Sequence, residues 1–405
     1  MSRLAELCRR RGDIVTGSDI LTGGHCADNV RGADLVVYTG AAADDNPELA
    51  EARRLGIPTV SRAKMLSSLA SEYPKCAGIA GCHGKTTATA LTGFAISSLG
   101  PEVHMGGGCD FPHGSGVFVT EACEYKRSFL ELKPDIAVVL NVGLDHTDCY
   151  ADIGEIFDAY RAFALSAPLR IVNGDDAYCR CIEGAATFGR GENCAYRAVN
   201  VCCGRDLSFD LIVRGRYETA ALLPLRGGHN VYNALAAVAV ADALGVPPVR
   251  ACLDMKAFKG VDRRFEYVGN LRGAEVYTDY AHHPDEIKAS LETARRICRG
   301  KVIAVFEPHT YTRTASFADG FAAALCLADE VVLAPIYAAR EKPVTGVCSQ
   351  SIWLKMRERG RNAVCLPTYC EINAYVRSGA GEGDLVIYLG AGTINRAAAQ
   401  LCVSP

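Results

Sequence analysis

The 405-residue chain has no run of about 18 uninterrupted apolar residues, so nothing in it reads as a membrane span. Its opening, Met1-Ser2-Arg3-Leu4-Ala5-Glu6-Leu7, starts an amphipathic helix and lacks the apolar core of a signal peptide. There is no basic excess either. Against 43 Lys and Arg stand 46 Asp and Glu, and a formal net charge of −3 gives no general basic face for nucleic acid. The 19 cysteines contain no C-x-x-C pair and no zinc-type spacing. Odd in number and scattered, they read as small buried thiols of a reducing, cytoplasmic compartment rather than as disulfides. Internal repeats and low-complexity linkers are also missing. What remains is a globular composition, 49% hydrophobic and 22% charged, long enough for two or three domains.

The rest of the chain is organised around Lys75 to Ala90. Ala77, Ile79 and Ala80 read as a short buried strand, and Gly81-Cys82-His83-Gly84 as a tight loop. Lys85-Thr86-Thr87 then opens a small-residue helix through Leu91. A strand, a glycine loop and a helix N-terminus together cradle phosphate: backbone N–H groups face the anion, the Lys ammonium reaches the terminal phosphates, and a hydroxyl holds Mg²⁺. The strict pattern wants a glycine where Ile79 stands, and a Gly-Lys-Thr alone also fits an ordinary strand–helix turn.

Residues 1–75 alternate helix and strand: a helix over Leu4–Arg11, strands over Ile14–Asp19, Ala33–Thr39 and Ile57–Val60, and a helix over Asn46–Leu55. That pattern is doubly wound α/β, with ligands expected at the carboxyl ends of strands. In the central segment Val117–Thr120 is a strand with Glu121 at its end, followed by Ala122-Cys123-Glu124. Ile136–Asn141 is another, leading to Gly143-Leu144-Asp145-His146-Thr147-Asp148. A β-rich stretch near 195–225 precedes an alanine-rich helix, Asn230 to Leu244. Phe258 to Phe265 reads as a hinge, after which the βαβ rhythm returns and closes on Leu385–Leu389 and Gly390-Ala391-Gly392.

Several groups offer chemistry. Glu121 suits Mg²⁺ as an oxygen ligand, and His146 could complete a metal shell or orient a carboxylate; a capping Glu and a core His fit the same residues. Asp279-Tyr280-Ala281-His282-His283-Pro284 gathers an acid, a phenol and two imidazoles on a strand-to-helix turn, which is also a helix cap. Pro308-His309-Thr310-Tyr311-Thr312-Arg313 supplies a guanidinium fork for a carboxylate or phosphate. Arg263 and Arg264 could reach a polyphosphate or be solvated linker charges.

Taken in order, these motifs are a phosphate loop, an acid, D-H, H-N-x-x-N, R-R, D-Y-x-H-H-P, P-H-x-Y-x-R and G-A-G. The series resembles the Mur ligase family of peptidoglycan synthesis over nearly the whole chain, from Leu4-Ala5-Glu6-Leu7 and Thr16-Gly17-Ser18-Asp19 to Gly390-Ala391-Gly392. The resemblance implies three α/β domains. These would be a Rossmann-like UDP-sugar domain at 1–75, a P-loop ATP domain at 76–261 and a Rossmann-like amino-acid domain at 262–405. It implies an ATP- and Mg²⁺-dependent amide ligase working through an acyl phosphate, with domain closure shielding that intermediate. Among the branches, the one that adds L-alanine to UDP-N-acetylmuramate fits best. Others carry a carbamylated lysine after the D-H motif, and residues 151–170 contain no lysine.

By the same resemblance Lys85 would neutralise the transferring phosphate, within a loop of Gly81, His83, Gly84, Thr86 and Thr87. Thr86 and Glu121 would hold one Mg²⁺ and His146 a second. Asn230 and Asn233 would flank adenine, while Arg264 and Asp279 would meet phosphate and ribose. Tyr280, His282, His309 and Arg313 would line the amino-acid pocket, and Ser18 and Asp19 the UDP-sugar site. Two departures are mild: Cys123 stands where the family often has Asp, and Thr310 where many members have Arg. A third is larger. Family members open on a strand and a G-x-G-G-x-G-type loop, and Met1 aligns just past it, which reads as a truncated start. The uncovered strand edge this would leave makes a homodimer a further expected partner. Open alternatives are a pseudo-ligase that binds nucleotide without turnover, and a relative taking glycine, serine or a recycled muramyl peptide. A generic P-loop kinase would leave D-Y-x-H-H-P unexplained.

Overall fold

Short apolar runs become strands wherever both faces of a parallel sheet are covered. A computed structural model describes residues 1–403 apart from 20–22, 41, 44, 110, 112, 147, 148 and 340. Thr147 and Asp148 of the Asp-His stretch therefore lie outside the described residues. Among the described residues the strands form three sheets. The first pairs β1 (Val36–Tyr38) with β2 (Thr59–Ser61) in parallel. The second is built from β3 (Cys76–Ala80), β4 (Pro101–His104), β5 (Val117–Glu121), β6 (Ile136–Val139), β7 (Leu169–Asn173), β8 (Ala186–Gly189), β9 (Tyr196–Cys203), β10 (Leu207–Val213) and β11 (Arg216–Leu223). The third contains β12 (Glu266–Leu271), β13 (Ala274–Asp279), β14 (Val302–Phe306), β15 (Glu330–Leu333), β16 (Val364–Cys365) and β17 (Leu385–Leu389).

The helices that matter for the sites are α1 (Ser2–Arg10), α2 (Pro47–Leu55), α3 (Arg62–Ala70), α4 (Lys85–Ala95), α5 (Ile153–Leu165), α6 (Asn230–Ala243), α7 (Pro248–Asp254), α8 (Pro284–Ile297) and α9 (Tyr311–Leu325). Their starts follow from local chemistry. Asn46 caps α2 by accepting from Glu48 N at 2.9 Å, Pro47 supplies its first turn, and Gly56 ends it at φ 71°. Asp152 caps α5 by accepting from Glu155 N at 2.9 Å, and Glu155 accepts in return from Ala151 N at 2.7 Å.

Strand order positions the sites. In the central sheet β3 lies between β5 and β6, parallel to both, with Ile79 opposite Glu121 and Ala80 opposite Val139. The carboxyl ends of three strands thus meet at the Gly81–Gly84 loop. In the third sheet β17 lies between β13 and β14, and Leu389 is opposite both Asp279 and Phe306. Non-consecutive strands meet because each crossover carries a helix over the sheet face.

The chain divides into two compact units: Met1–Val199 with Leu211–Thr219 and Tyr232–Ala257, and Asn200–Asp210 with Ala220–Val231 and Phe258–Pro405. The first has a core in which Phe129 stacks on Phe163 at 5.1 Å and meets Tyr160 edge-on at 5.4 Å. Leu4, Leu7 and Cys8 of α1 join the same core. The second packs Phe306, Phe321, Ile287, Leu291 and Leu325 against one sheet face. All 19 cysteines are free thiols. Among the described residues no helix is long and apolar enough to cross a membrane.

One expectation needs correction. Ile14–Asp19 is not a strand: these residues are irregular, and Ile14 is 98% exposed. A strand exists only where a neighbour accepts and donates its ladder bonds, and among the described residues no strand pairs with this segment.

Candidate functional site

At the tip of β3 the backbone turns through Gly81 at φ 147° and Gly84 at φ 85° into α4. Gly84 is required twice over. Its conformation is left-handed, and a Cβ there would stand 2.5 Å from Asn233 Oδ1. Asn233 on α6 is itself buried, so the loop and that helix are in direct contact. Asn141, just past β6, fixes the loop from its other side: its Oδ1 accepts from His83 N at 2.8 Å and its Nδ2 donates to His83 O at 3.0 Å. Thr86 is buried in the first turn of α4, while Thr87 beside it is half-buried.

The Lys85 ammonium donates to Gly81 O at 2.6 Å, to Cys82 O at 3.2 Å and to Glu124 Oε1 at 2.9 Å. Glu124 is 1% exposed and stands 3.6 Å from His146 Nε2, which is 3.8 Å from Asp145. Burial alone would raise the Glu124 carboxyl, but Lys85 and then His146 outweigh it and hold Glu124 below the ordinary carboxylate range. Burial likewise pulls the Lys85 ammonium down, and Glu124 more than reverses it, so Lys85 ends above its ordinary value. The second oxygen of Glu124 is buried and has no hydrogen-bond partner among the described residues. A cation, a hydroxyl, a carboxylate with an unused oxygen and an imidazole at one sheet edge suit a phosphate and a divalent ion.

Glu121, expected as the metal acid, ends β5 half-buried and accepts from Gly106 N at 3.1 Å. The acid joined to Lys85 and His146 is Glu124, three residues on. Sequence reasoning passed over Glu124 and Asn141 although both lie in quoted stretches. The usable signal was position: each stands just beyond a strand end adjacent to β3.

The second unit gathers its own cluster at the carboxyl ends of β13, β14 and β17. Arg263 Nη2 donates to Gly390 O at 2.7 Å and Gly392 O at 3.0 Å, and its guanidinium lies 4.7 Å from the Tyr280 ring centroid. Arg264 lies 5.3 Å from the same centroid and 3.6 Å from Glu286. His282 Nδ1 is 2.9 Å from Tyr280 O, so that nitrogen carries the proton. The His282 and His309 rings are 5.8 Å apart, and His309 stacks at 5.7 Å on Tyr337. Arg313 Nη1 is 3.4 Å from His309 Nδ1. Burial first, then His282 and Arg313, push His309 down to about 4.

Other predicted residues hold their surroundings. Asp279 accepts from Phe265 N at 3.1 Å, Ala281 N at 2.9 Å and Ser290 Oγ at 2.8 Å, and burial raises its carboxyl. Asn230 donates from Nδ2 to Arg226 O at 2.6 Å. Ser18 donates to Glu48 Oε2 at 2.8 Å, and Asn29 to Glu48 Oε1 at 2.7 Å; Asp19 follows Ser18 in irregular chain. Glu307, missed from sequence, is buried beneath Gly390–Gly392: it accepts from Tyr369 Oη and from Ile394 N, and Gly392 leaves no room for a Cβ beside it.

Comparison with known proteins gives one result throughout. Residues 1–74 match the description "Mur ligase family, catalytic domain", 79–241 "Mur ligase middle domain" and 263–392 "Mur ligase, glutamate ligase domain". The chain is 38% identical over 427 residues to the UDP-N-acetylmuramate–L-alanine ligase of Caldanaerobacter subterraneus subsp. tengcongensis, covering 97% of this chain and 93% of that relative. It is 39% identical over 431 residues to the protein of the same name from Clostridium novyi, covering 98% and 93%. Among solved structures, the UDP-N-acetylmuramate-alanine ligase of Thermotoga maritima matches with a TM-score of 0.84 and 26% identity, covering 99% of this chain and 95% of that one.

Two outcomes follow from these geometries. A carboxyl held below its ordinary value stabilises the fold above that value and loses the contribution as pH falls through the folded pKa. Glu124→Gln should therefore cost about 3 kcal/mol at pH 7, as expected when one partner of a buried pair is removed. The deficit in urea denaturation should shrink as pH drops below 4.5, the ordinary value for this carboxyl. His309 should titrate near pH 4 by NMR. Its lowered pKa means the unfolded chain binds more protons between that value and 6.5, so this residue's contribution to stability falls as pH drops across that window.

Proposed function

Because the chain belongs to the Mur ligase family, we propose that it joins L-alanine to UDP-N-acetylmuramate at the expense of ATP, in peptidoglycan precursor synthesis. The observation behind this choice of substrates is near full-length identity of 38–39% to ligases of that name. On this reading residues 1–75 serve the UDP-sugar, 76–261 ATP and 262–405 the amino acid.

The muramyl carboxylate attacks the γ-phosphorus of ATP, ADP leaves, and an acyl phosphate forms. The alanine amine then attacks the acyl carbon and expels phosphate. Such transfer needs positioning and charge neutralisation more than covalent help. Lys85 does the second: its ammonium, now shared among two carbonyls and Glu124, is drawn to the transferring phosphate. Glu124 keeps that ammonium charged and aimed. Backbone N–H groups of Gly81, Gly84, Thr86 and Thr87 face the phosphates at the start of α4, in a loop that Asn141 fixes through the His83 N–H. Thr86, Glu121 and His146 would hold Mg²⁺, which would supply charge neutralisation for the phosphates, and Glu124 Oε2, without a hydrogen-bond partner among the described residues, is a further oxygen for it. Asn230 and Asn233 serve adenine, and Arg264 and Asp279 the phosphate and ribose; Ser18 and Asp19 serve the UDP-sugar.

Arg313 takes the alanine carboxylate, beside Tyr280 and a His309 ring that stays neutral. An ammonium cannot attack, so the amine must first lose a proton. In its neutral form His282 offers Nε2 as the acceptor, because Nδ1–H is committed to Tyr280 O.

Phosphate release from ATP should require both UDP-N-acetylmuramate and an amino acid, with L-alanine outcompeting glycine and serine. ATP turnover indifferent to both substrates would overturn the reading. Lys85→Ala should retain the fold by circular dichroism and lose about 10²–10³ in kcat, the usual cost of removing one preorganised electrostatic donor.

A further inference from the structure

Lys126 and Arg127 are adjacent residues in left-handed backbone, with φ/ψ of 49°/33° and 55°/22°. Neither is a residue type that tolerates this region, and such conformations persist only where neighbouring structure enforces them. Here both flanks are fixed. Glu124 is buried against Lys85, and Phe129 is buried against Phe163. Between them Arg127 N donates to Glu124 O at 2.8 Å, Phe129 N to Cys123 O at 2.9 Å and Ser128 Oγ to Cys123 O at 2.8 Å.

The two strained side chains leave in different directions. Arg127 turns back to α5, where it meets Glu155 at 2.5 Å and lies 5.4 Å from the Tyr150 ring centroid. A structural role accounts for it. Lys126 instead donates from Nζ to Gly40 O at 2.6 Å, and among the described residues no carboxylate meets its ammonium. Gly40 lies two residues beyond β1, at the carboxyl edge of the parallel β1–β2 pair, where α/β sheets hold their ligands. The left-handed pair thus carries a cation from the Glu124 turn to the ligand edge of the N-terminal sheet, where among the described residues it meets a carbonyl and, at 5.8 Å, the Tyr125 ring centroid, but no acid.

We propose that Lys126 binds an anionic group of the nucleotide sugar, either its diphosphate or its carboxylate, and so holds that substrate within reach of the Lys85–Glu124 loop. This rests on the functional reading above. It adds a substrate-positioning residue outside the phosphate loop, on an exposed lysine whose direction the buried flanks fix.

The test uses the full chain and isothermal titration with UDP, UDP-N-acetylmuramate and ADP. Lys126→Gln keeps a donor for Gly40 O and removes the charge, whereas Lys126→Arg keeps the charge. The glutamine variant should bind UDP-N-acetylmuramate about 10–100-fold more weakly, the range for losing a charged hydrogen bond. It should bind ADP as the wild type does, and the arginine variant should recover most of the loss. Equal weakening toward UDP assigns the contact to the diphosphate; weakening confined to UDP-N-acetylmuramate assigns it to the carboxylate. Unchanged affinity for both uridine ligands in the glutamine variant, or a matching loss for ADP, would overturn the role of Lys126 alone. Wild-type protein that fails to bind UDP-N-acetylmuramate would instead remove the functional reading, and this inference with it.

Discussion

The pairing of Lys85 with Glu124 governs the nucleotide end of this protein. An ammonium and a carboxylate buried side by side are costly apart and stable only together, so each depends on the loop that presents the other. Lys85 also donates to the carbonyls of Gly81 and Cys82, which ties the ammonium to its own loop. Glu124 in turn faces His146 and, through its backbone carbonyl, accepts from Tyr150 Oη at 2.6 Å. One charged pair therefore couples the ends of β3, β5 and β6 with the segment leading into α5. Disturbing any one of these would unsettle the charge that the chemistry needs.

That coupling is available because of strand order. The first strand of the central sheet is an inner one, and its neighbours on either side arrive from later in the chain. Residues far apart in sequence, Gly81, Glu124 and Asn141, consequently end at one edge. The third sheet repeats the principle with β17 between β13 and β14, which brings Tyr280, His309 and the Gly390–Gly392 turn together. In both places glycine stands where a side chain would collide with a functional one, Asn233 in the first and Glu307 in the second. The sites are thus shaped as much by absent Cβ atoms as by the charged groups around them.

Strain marks a third location. Left-handed backbone at Lys126, Arg127 and His146 lies within the segments that hold Glu124 and its partner imidazole. A relaxed turn after Glu124 would leave the lysine free to point elsewhere. The anchors at Glu124 and Phe129 remove that freedom, which is how a few buried contacts impose direction on an exposed side chain.

Much of the architecture was legible in the chain itself. The apolar runs within 77–80, 117–120, 136–141, 302–306 and 385–389 read as covered strands, and the Gly-Lys-Thr after the first of them suited an anion loop. The order of the D-Y-x-H-H-P, P-H-x-Y-x-R and G-A-G stretches carried the resemblance to the family, and each begins at or just past a strand end. Period and spacing say which residues leave a strand, but not which strand is its neighbour. Hence Glu124 as the partner of Lys85, Asn141 as the clamp on the loop, and Glu307 beneath Gly392 were decided only by tertiary structure. The same holds for Ile14–Asp19, whose composition suits a strand and which lacks one because pairing is a property of two segments, never of one.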